Sequence, residues 1–450
     1  MIDLFDEIRN GKRKFEDEVF NPIYQSTGAD DDFFELKRLD FINCEFSVFE
    51  LEDVNQPDLT FFFKECTFND QIQFYDVYLN GLLFFDIKSI TSINISGKFT
   101  RIRFNNKNIQ LAGDIHIEAE IIQELNFENF NQNNGVFSLE VNHGSDEKKQ
   151  EFRTFFRNAK FNDFTVSGSN FGYVANFKNI TVLNSATFLQ CVFEESYFDN
   201  SNLLGEVHFI DCVFNKPISF QSLLSSNSTD FYIRQSKFVK TVNFNKSIIN
   251  RLTLIDNDFN DLTFFQEIHF DSISIDRTTF EKGALFDDSR IYNINNCNRR
   301  TIRTIKQELQ KAENRIDFNR FKNYEMATYY KELNWSDNFI DKFILWTTKW
   351  STDFGSSWFR ALIFTIISGL FWYSLFYRIE NSSTLDFSRT NDFFVGAFRF
   401  FLVTDFHNPL IDNPKIYLES GWSWLIFILG KIFIAFGIYE MIQSFRKFKA

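Results

Sequence analysis

Glycine, proline and histidine are scarce in this chain of 450 residues, at 17, 5 and 5 respectively. The histidines stand apart at positions 116, 143, 208, 269 and 407, and no glycine-rich phosphate loop, metal-ligand spacing or pocket-forming carboxylate pair can be assembled around them. The sequence therefore reads as a non-enzyme with no cofactor and no metal. Cysteine is nearly absent too. Five cysteines, an odd number without small-domain spacing, are expected as free buried thiols in a reducing compartment. Positive charge is in deficit, with a formal net charge of -13, and the deficit is concentrated. Residues 299–450 hold 20 of the 47 basic and 15 of the 60 acidic side chains, leaving 27 and 45 for residues 1–298. An acidic N-terminal region repels phosphate backbones, which disfavours nucleic acid as a partner, whereas a basic C-terminal region suits a membrane surface. The opening residues Asp3, Asp6 and Glu7 interrupt any apolar run, so no export signal is read there and the N-terminal region is expected in the cytosol.

What is abundant is phenylalanine: 63 residues in a chain that is 44% hydrophobic. So many large flat side chains imply many equivalent buried sites, which points to a repeat protein with a substantial core. From residue 40 to 296 a small residue often stands two before a Phe, as in Cys44-Glu45-Phe46, Cys66-Thr67-Phe68, Ala186-Thr187-Phe188, Cys191-Val192-Phe193 and Cys212-Val213-Phe214. Phe188, Phe193, Phe198 and Leu203 step by five, a period that neither a helix nor a flat strand has. A longer period overlies it: Cys44 and Cys66 are 22 apart, Cys191 and Cys212 are 21 apart, and Phe238, Phe259 and Phe280 are spaced by 21. Four five-residue sides close one coil, and like residues one coil apart stack as a buried ladder. The two Cys pairs are thus expected as stacked neighbours.

These triplets and spacings resemble the pentapeptide-repeat family, which implies a right-handed parallel β-solenoid with a central inward Leu or Phe and a small residue two before it. About a dozen coils at the ~4.8 Å strand spacing give a rod of roughly 55 to 60 Å. The expected organisation is an N-terminal cap over residues 1–39 and a solenoid over 40–298, irregular at about 88–158, where the triplets blur and residues 143–149 read as an exposed loop.

Around Arg299 the pattern becomes helical. A connector is expected over 299–335, with Ile302, Ile305, Leu309 and Ala312 on one face of its first helix and Asp317 as the cap of its second. Residues 336–357 contain an amphipathic segment whose Phe339, Phe343, Trp346 and Trp350 suit a membrane interface. Residues 358–378 and 421–440 are apolar runs near the ~20 residues that cross ~30 Å of hydrocarbon. They are expected as two transmembrane helices, with Trp346, Trp350, Trp358, Trp422, Trp424, Arg446 and Lys447 as interface anchors. Residues 379–420 form the extracytoplasmic or re-entrant loop and 441–450 a basic cytoplasmic tail. With two crossings both termini share a side, giving a multi-pass inner-membrane protein with its solenoid in the cytoplasm.

Lys431 interrupts the second run, and a Lys at mid-helix costs about 2.5 to 3.5 kcal/mol by insertion scales, so it faces protein or water. It either lines a water path in an oligomer or pairs inside the chain, with Glu440 or an acid of the loop as the partner. The helix, half-inserted segment, helix layout, with Asp405 and His407 after the segment, resembles two-transmembrane potassium channels. The filter Thr-Val-Gly-Tyr-Gly is absent, and Val403-Thr404-Asp405-Phe406-His407 stands in its place. Most of the chain also resembles a recurring bacterial group of pentapeptide-repeat membrane proteins. Two functions follow as expectations. One is a homo-oligomeric, channel-like pore, with Lys431, Asp405, His407 and Glu440 as its intramembrane residues and a cytoplasmic solenoid that senses a protein or ligand. The other is a membrane-anchored scaffold whose solenoid binds a protein partner.

Overall fold

The computed structural model describes residues 1–25, 36–106, 111, 113–143, 152–226, 229–381, 390–411 and 416–446. They divide into two compact units, Met1–Ala312 and Glu313–Ala450.

The first unit is a parallel β-solenoid. Its organising feature is a single file of stacked rings: Phe15, Phe41, Phe63, Phe84, Phe104, Phe127, Phe156, Phe177, Phe198, Phe220, Phe244, Phe265 and Phe286. Successive ring centroids lie 4.3–5.4 Å apart with interplanar angles of 5–22°. A second file runs through Phe171, Phe193, Phe214, Phe238, Phe259 and Phe280 at 4.5–5.0 Å. Rings within one coil instead meet edge to face, as Phe188 and Phe198 do at 5.5 Å and 90°. The rings of the two files are therefore stacked along the solenoid axis, and many of them are edge-packed across it, both favourable aromatic geometries.

The corners explain how so little glycine suffices. In the first file, nearly every Phe is followed two residues later by a corner in the left-handed region, with φ of 49–60°, among them Asp17, Asn43, Asp86, Asn129, Asn158, Asn179, Asn200 and Asp288. Asn and Asp tolerate that conformation better than other side chains with a Cβ. The Asn corners also bond to one another between coils: Asn179 Nδ2 donates to Asn158 Oδ1 at 3.1 Å and Asn158 Nδ2 to Asn129 Oδ1 at 3.3 Å. After Phe104 the corner differs. Buried Asn106 turns inward and takes both the N–H and the carbonyl of Ile87 at 3.2 and 3.1 Å.

Two boundaries differ from the sequence expectation. The coils begin before residue 40: helix α1 (Leu4–Arg9) is followed by strands Lys14–Glu16, Val19–Phe20 and Ile23–Gln25, which already pair in parallel with the next coil. The stretch at 88–158 keeps its coils, and the first file runs through it unbroken. In this stretch and in the coil just before it, pairs of coil sides merge into long strands, Gln71–Phe85, Ser92–Asn105 and Asp114–Asn126. Ile93, Ile95, Ile115, Ile117 and Ile121 then fill the interior at a period of two, which hides the period of five. A break in pairing register between Ile95 and Gly97 bends one such strand, at a glycine with φ of 128° whose missing side chain leaves room for the Val77 backbone. Most of the expected loop at 143–149 lies outside the described residues.

The Cys pairs are stacked neighbours. Val213 N donates to Cys191 O at 2.9 Å and Thr67 N to Cys44 O at 2.9 Å, and all five thiols are free and buried. The neighbouring sulfur and burial push the Cys66 and Cys191 thiols up from their ordinary value, which makes them poor nucleophiles.

The C-terminal end of the solenoid is closed by helix α2 (Arg299–Lys311), which buries Ile302, Ile305 and Leu309 against it. Edge N–H groups of the last coil are taken up by side chains: Ile273 N by Cys297 Sγ at 3.4 Å, Ile275 N by Thr301 Oγ1 at 2.8 Å, and Ala284 N by Glu308 Oε2 at 3.1 Å. A sheet edge closed in this way offers no template for further strands.

The second unit is helical: α3 (Arg315–Glu332), α4 (Phe339–Thr352), α5 (Trp358–Asn381), α6 (Thr390–Phe401) and α7 (Gly421–Arg446). The expected connector thus divides, with α2 in the first unit and α3 in the second. The cap of α3 is Asn314, whose Oδ1 accepts from Asp317 N at 3.1 Å; Asp317 sits inside the first turn instead of capping it. Two helical stretches, Trp358–Glu380 and Gly421–Phe445, are long and apolar enough to cross a membrane. Only 28% and 39% of their most apolar windows are buried, unlike the core helices of a soluble protein.

Candidate functional site

The chemistry-bearing side chains of the helical unit sit where α5, α6 and α7 approach closely, and glycine permits the approach. A Cβ on Gly369 or Gly430 would overlap the ring of Phe401 or Phe400, and one on Gly396 the hydroxyl of Tyr373. Small residues at such contacts let helices associate where water supplies no driving force. Tyr373, Phe376, Ala397, Phe400, Phe427 and Ile434 form the buried centre. At 12 residues, α6 is about 18 Å long. That is well short of the ~30 Å needed to cross a bilayer, so it is a half-length helix packed against two full-length ones.

Lys431 sits at the end of this half-helix and is only 4% exposed. Its Nζ donates to Phe400 O at 2.7 Å and to Leu402 O at 2.6 Å, while lying 4.8 Å from the ring centroid of Phe427 and 5.4 Å from that of Phe400. The last carbonyls of a helix lack partners within it and carry the negative end of its dipole, so a cation there satisfies both. Asp405, in the loop that follows, is within electrostatic range of Lys431. Asp405 Oδ1 also lies 2.8 Å from His407 Nδ1 and accepts from His407 N at 3.1 Å; the His407 ring stacks on Tyr417 at 5.0 Å.

The structure thus brings Lys431, Asp405 and His407 into one neighbourhood and leaves Glu440 out of it. Glu440 stands nine residues along α7, ~13 Å away by the rise of a helix, and its Oε2 accepts from Thr352 Oγ1 of α4 at 3.1 Å. Sequence reasoning missed Glu380, whose carboxylate accepts from Ser423 Oγ at 2.6 Å and Asn408 Nδ2 at 3.3 Å, tying α5, the loop and α7 together. The apolar run stops at Tyr377 before Arg378, whereas the helix continues to Asn381.

Of the expected anchors, Trp346, Trp350, Trp358 and Trp422 are exposed. Trp424 donates from Nε1 to Leu418 O at 2.9 Å, and Trp358 stacks on Phe445 at 5.4 Å. Arg446 ends α7, and Lys447 lies outside the described residues.

On the solenoid, a groove of about 480 Å³ is lined by Ile248, Asn250, Arg251, His269, Asp271 and Tyr292, among others. Its charged and aromatic groups are engaged within the fold: Tyr292 Oη with His269 Nδ1 at 3.0 Å, Asn293 Nδ2 donating to Asp271 Oδ1 at 2.5 Å, and Arg251 with Asp230. Among the described residues no group of three or more His, Cys, Asp or Glu is arranged to hold a metal ion.

Residues 167–222 match the family profile described as Pentapeptide repeats (9 copies), which covers the coils around Cys191, Phe193, Phe198, Cys212 and Phe214. No curated protein and no solved structure matches the chain.

Proposed function

We propose that this protein is a membrane-tethered scaffold: a non-enzymatic solenoid that binds a protein partner and is held at the bilayer by α5 and α7. One observation carries the reading. Lys431, the residue that would mark a water path, is taken up by the carbonyls of Phe400 and Leu402 within its own chain. The module then closes on itself, as an anchor does. Pentapeptide-repeat solenoids commonly mediate protein interactions, and the acidic N-terminal region favours a partner presenting a basic face. The solenoid lies on the cytoplasmic side of the inner membrane, in keeping with its free thiols and with the basic residues Arg446, Lys447 and Lys449 at the other terminus.

The test replaces residues 358–446 with an unrelated transmembrane hairpin and compares proteins cross-linked to the solenoid in cells. An unchanged partner set is expected. Loss of that set with the solenoid still folded and membrane-bound overturns the scaffold.

A second reading, a homo-oligomeric channel gated by the solenoid, is favoured by the half-length α6 held against both long helices. It needs several copies, because two helices per chain cannot enclose a pore. Ion flux from liposomes that tracks an oligomeric mass supports it; tight liposomes holding a monomer or dimer exclude it.

A further inference from the structure

Helix α4 carries an apolar stripe that, among the described residues, nothing in its own unit covers. Phe339, Ile340, Phe343, Ile344, Trp346 and Trp350 are 38–72% exposed and lie on one side of the helix. The opposite side is committed. Lys342 and Lys349 fold back over the Tyr330 ring of α3 at 5.2 and 5.0 Å, and Lys342 also reaches the Leu333 carbonyl. Thr352 is buried and donates to Glu440 of α7. Contiguous exposed stripes of this kind mark interaction surfaces in soluble and membrane proteins alike.

The turn between α4 and α5 fixes where the stripe lies. Asp353, Phe354 and Gly355 have φ of 54°, 58° and 84°, so α4 cannot run on into α5. Thr352 locks the reversal: its Oγ1 accepts from Gly355 N at 2.8 Å and its carbonyl from Ser357 N at 3.0 Å. The chain then enters α5 at Trp358, whose ring stacks on Phe445 at the far end of α7. The stripe is therefore pinned at the level where one membrane-length helix begins and the other ends. Its aromatic content, with two tryptophans, suits the boundary between headgroups and acyl chains.

We infer that α4 is a third membrane element, lying flat in the headgroup–acyl boundary of the leaflet at which α5 begins and α7 ends. This rests on α5 and α7 spanning the bilayer. A lipid surface is its partner; a second copy of the chain or another protein would shield the same residues differently.

The test uses the full-length protein in phosphatidylcholine liposomes with a nitroxide at Ile340→Cys or Trp350→Cys, two exposed positions where substitution removes little packing. The native thiols are buried and leave the new one as the reactive site. Lys322→Cys on α3 serves as the water reference and Ile367→Cys, 63% exposed at mid-α5, as the bilayer-interior reference. Relaxation by dissolved oxygen and by a water-soluble nickel chelate places each label. The expected result is that oxygen dominates at both α4 positions, at a depth shallower than Ile367. Labels that follow Lys322, or that are shielded from both relaxants, overturn the inference. Ile367 reporting water would instead sink the spanning reading, so the two failures are told apart.

Discussion

The two units solve burial in opposite ways. In the solenoid one solution is repeated: the Phe file recurs coil after coil, and each coil's backbone pairs with the coils on either side. In the helical unit nothing repeats, and three buried or half-buried charged groups each have a bespoke partner: Lys431 the carbonyls of Phe400 and Leu402, Glu380 the side chains of Asn408 and Ser423, and Glu440 the hydroxyl of Thr352. Repetition places the energy of the first unit in ring packing. Uniqueness places the order of the second in a few hydrogen bonds shielded from water.

The largest expected effect is therefore a ring deletion in the solenoid. Phe177 is fully buried, with stacked neighbours at 5.0 Å (Phe156) and 4.6 Å (Phe198). Phe177→Ala is expected to cost about 3–5 kcal/mol in urea unfolding followed by circular dichroism. Phe398→Ala on α6, a ring that is 74% exposed, should stay within about 0.5 kcal/mol in the same assay. Comparable losses at the two sites would break the comparison. Next comes Lys431→Leu, which strips two buried carbonyls of their donor at about 1–3 kcal/mol each. The half-helix should then detach, read as new protease cleavage within 390–411 in liposomes while the solenoid stays intact.

How far these features are legible from sequence follows the same division. Like residues one coil apart announce a solenoid, because stacking forces chemical identity at a fixed interval. The first coil escapes notice because Lys14–Gln25 carries no small-x-Phe triplet, and the coils at 88–158 because Ile replaces Phe at a period of two. One further pattern was available in many of the coils: Phe-x-Asn or Phe-x-Asp, as in Phe41-Ile42-Asn43, Phe84-Phe85-Asp86, Phe127-Glu128-Asn129 and Phe177-Lys178-Asn179, where ring and corner come together. In the helical unit Lys431 stands out by composition alone. Its partners do not, since backbone carbonyls leave no trace in a sequence.

The end of the solenoid provides a smaller test of the repeat principle, because there a side chain replaces the missing coil. Thr301→Val keeps the shape and removes the acceptor for the Ile275 N–H. The same substitution removes the Thr301 Oγ1 donor from the Ile275 carbonyl at 3.3 Å, and a loss of about 1–3 kcal/mol is expected for the orphaned buried N–H, whose bond is the stronger of the two. Amide hydrogen exchange should localise it, accelerating at Ile275 while Leu254, one coil inward, stays protected. Equal acceleration at both would mean that the end is not independent of the coils beneath it.

The smallest effect belongs to the solenoid surface, where repetition also stacks charges. Arg277 spans the Asp256 carboxylate with Nε to Oδ1 at 2.5 Å and Nη2 to Oδ2 at 3.0 Å, and this fork holds the Asp256 carboxyl below its ordinary value. A carboxyl depressed in the folded state contributes stability that is fully present above the ordinary carboxylate range and is lost as pH falls through the folded value. Arg277→Ala should therefore lower stability slightly at neutral pH, by a difference that closes as pH falls through the folded value of the Asp256 carboxyl, and rising salt should erase that difference because both side chains face water. A large neutral-pH loss on this substitution would show that the coil edges, and not the ring files alone, hold the solenoid together.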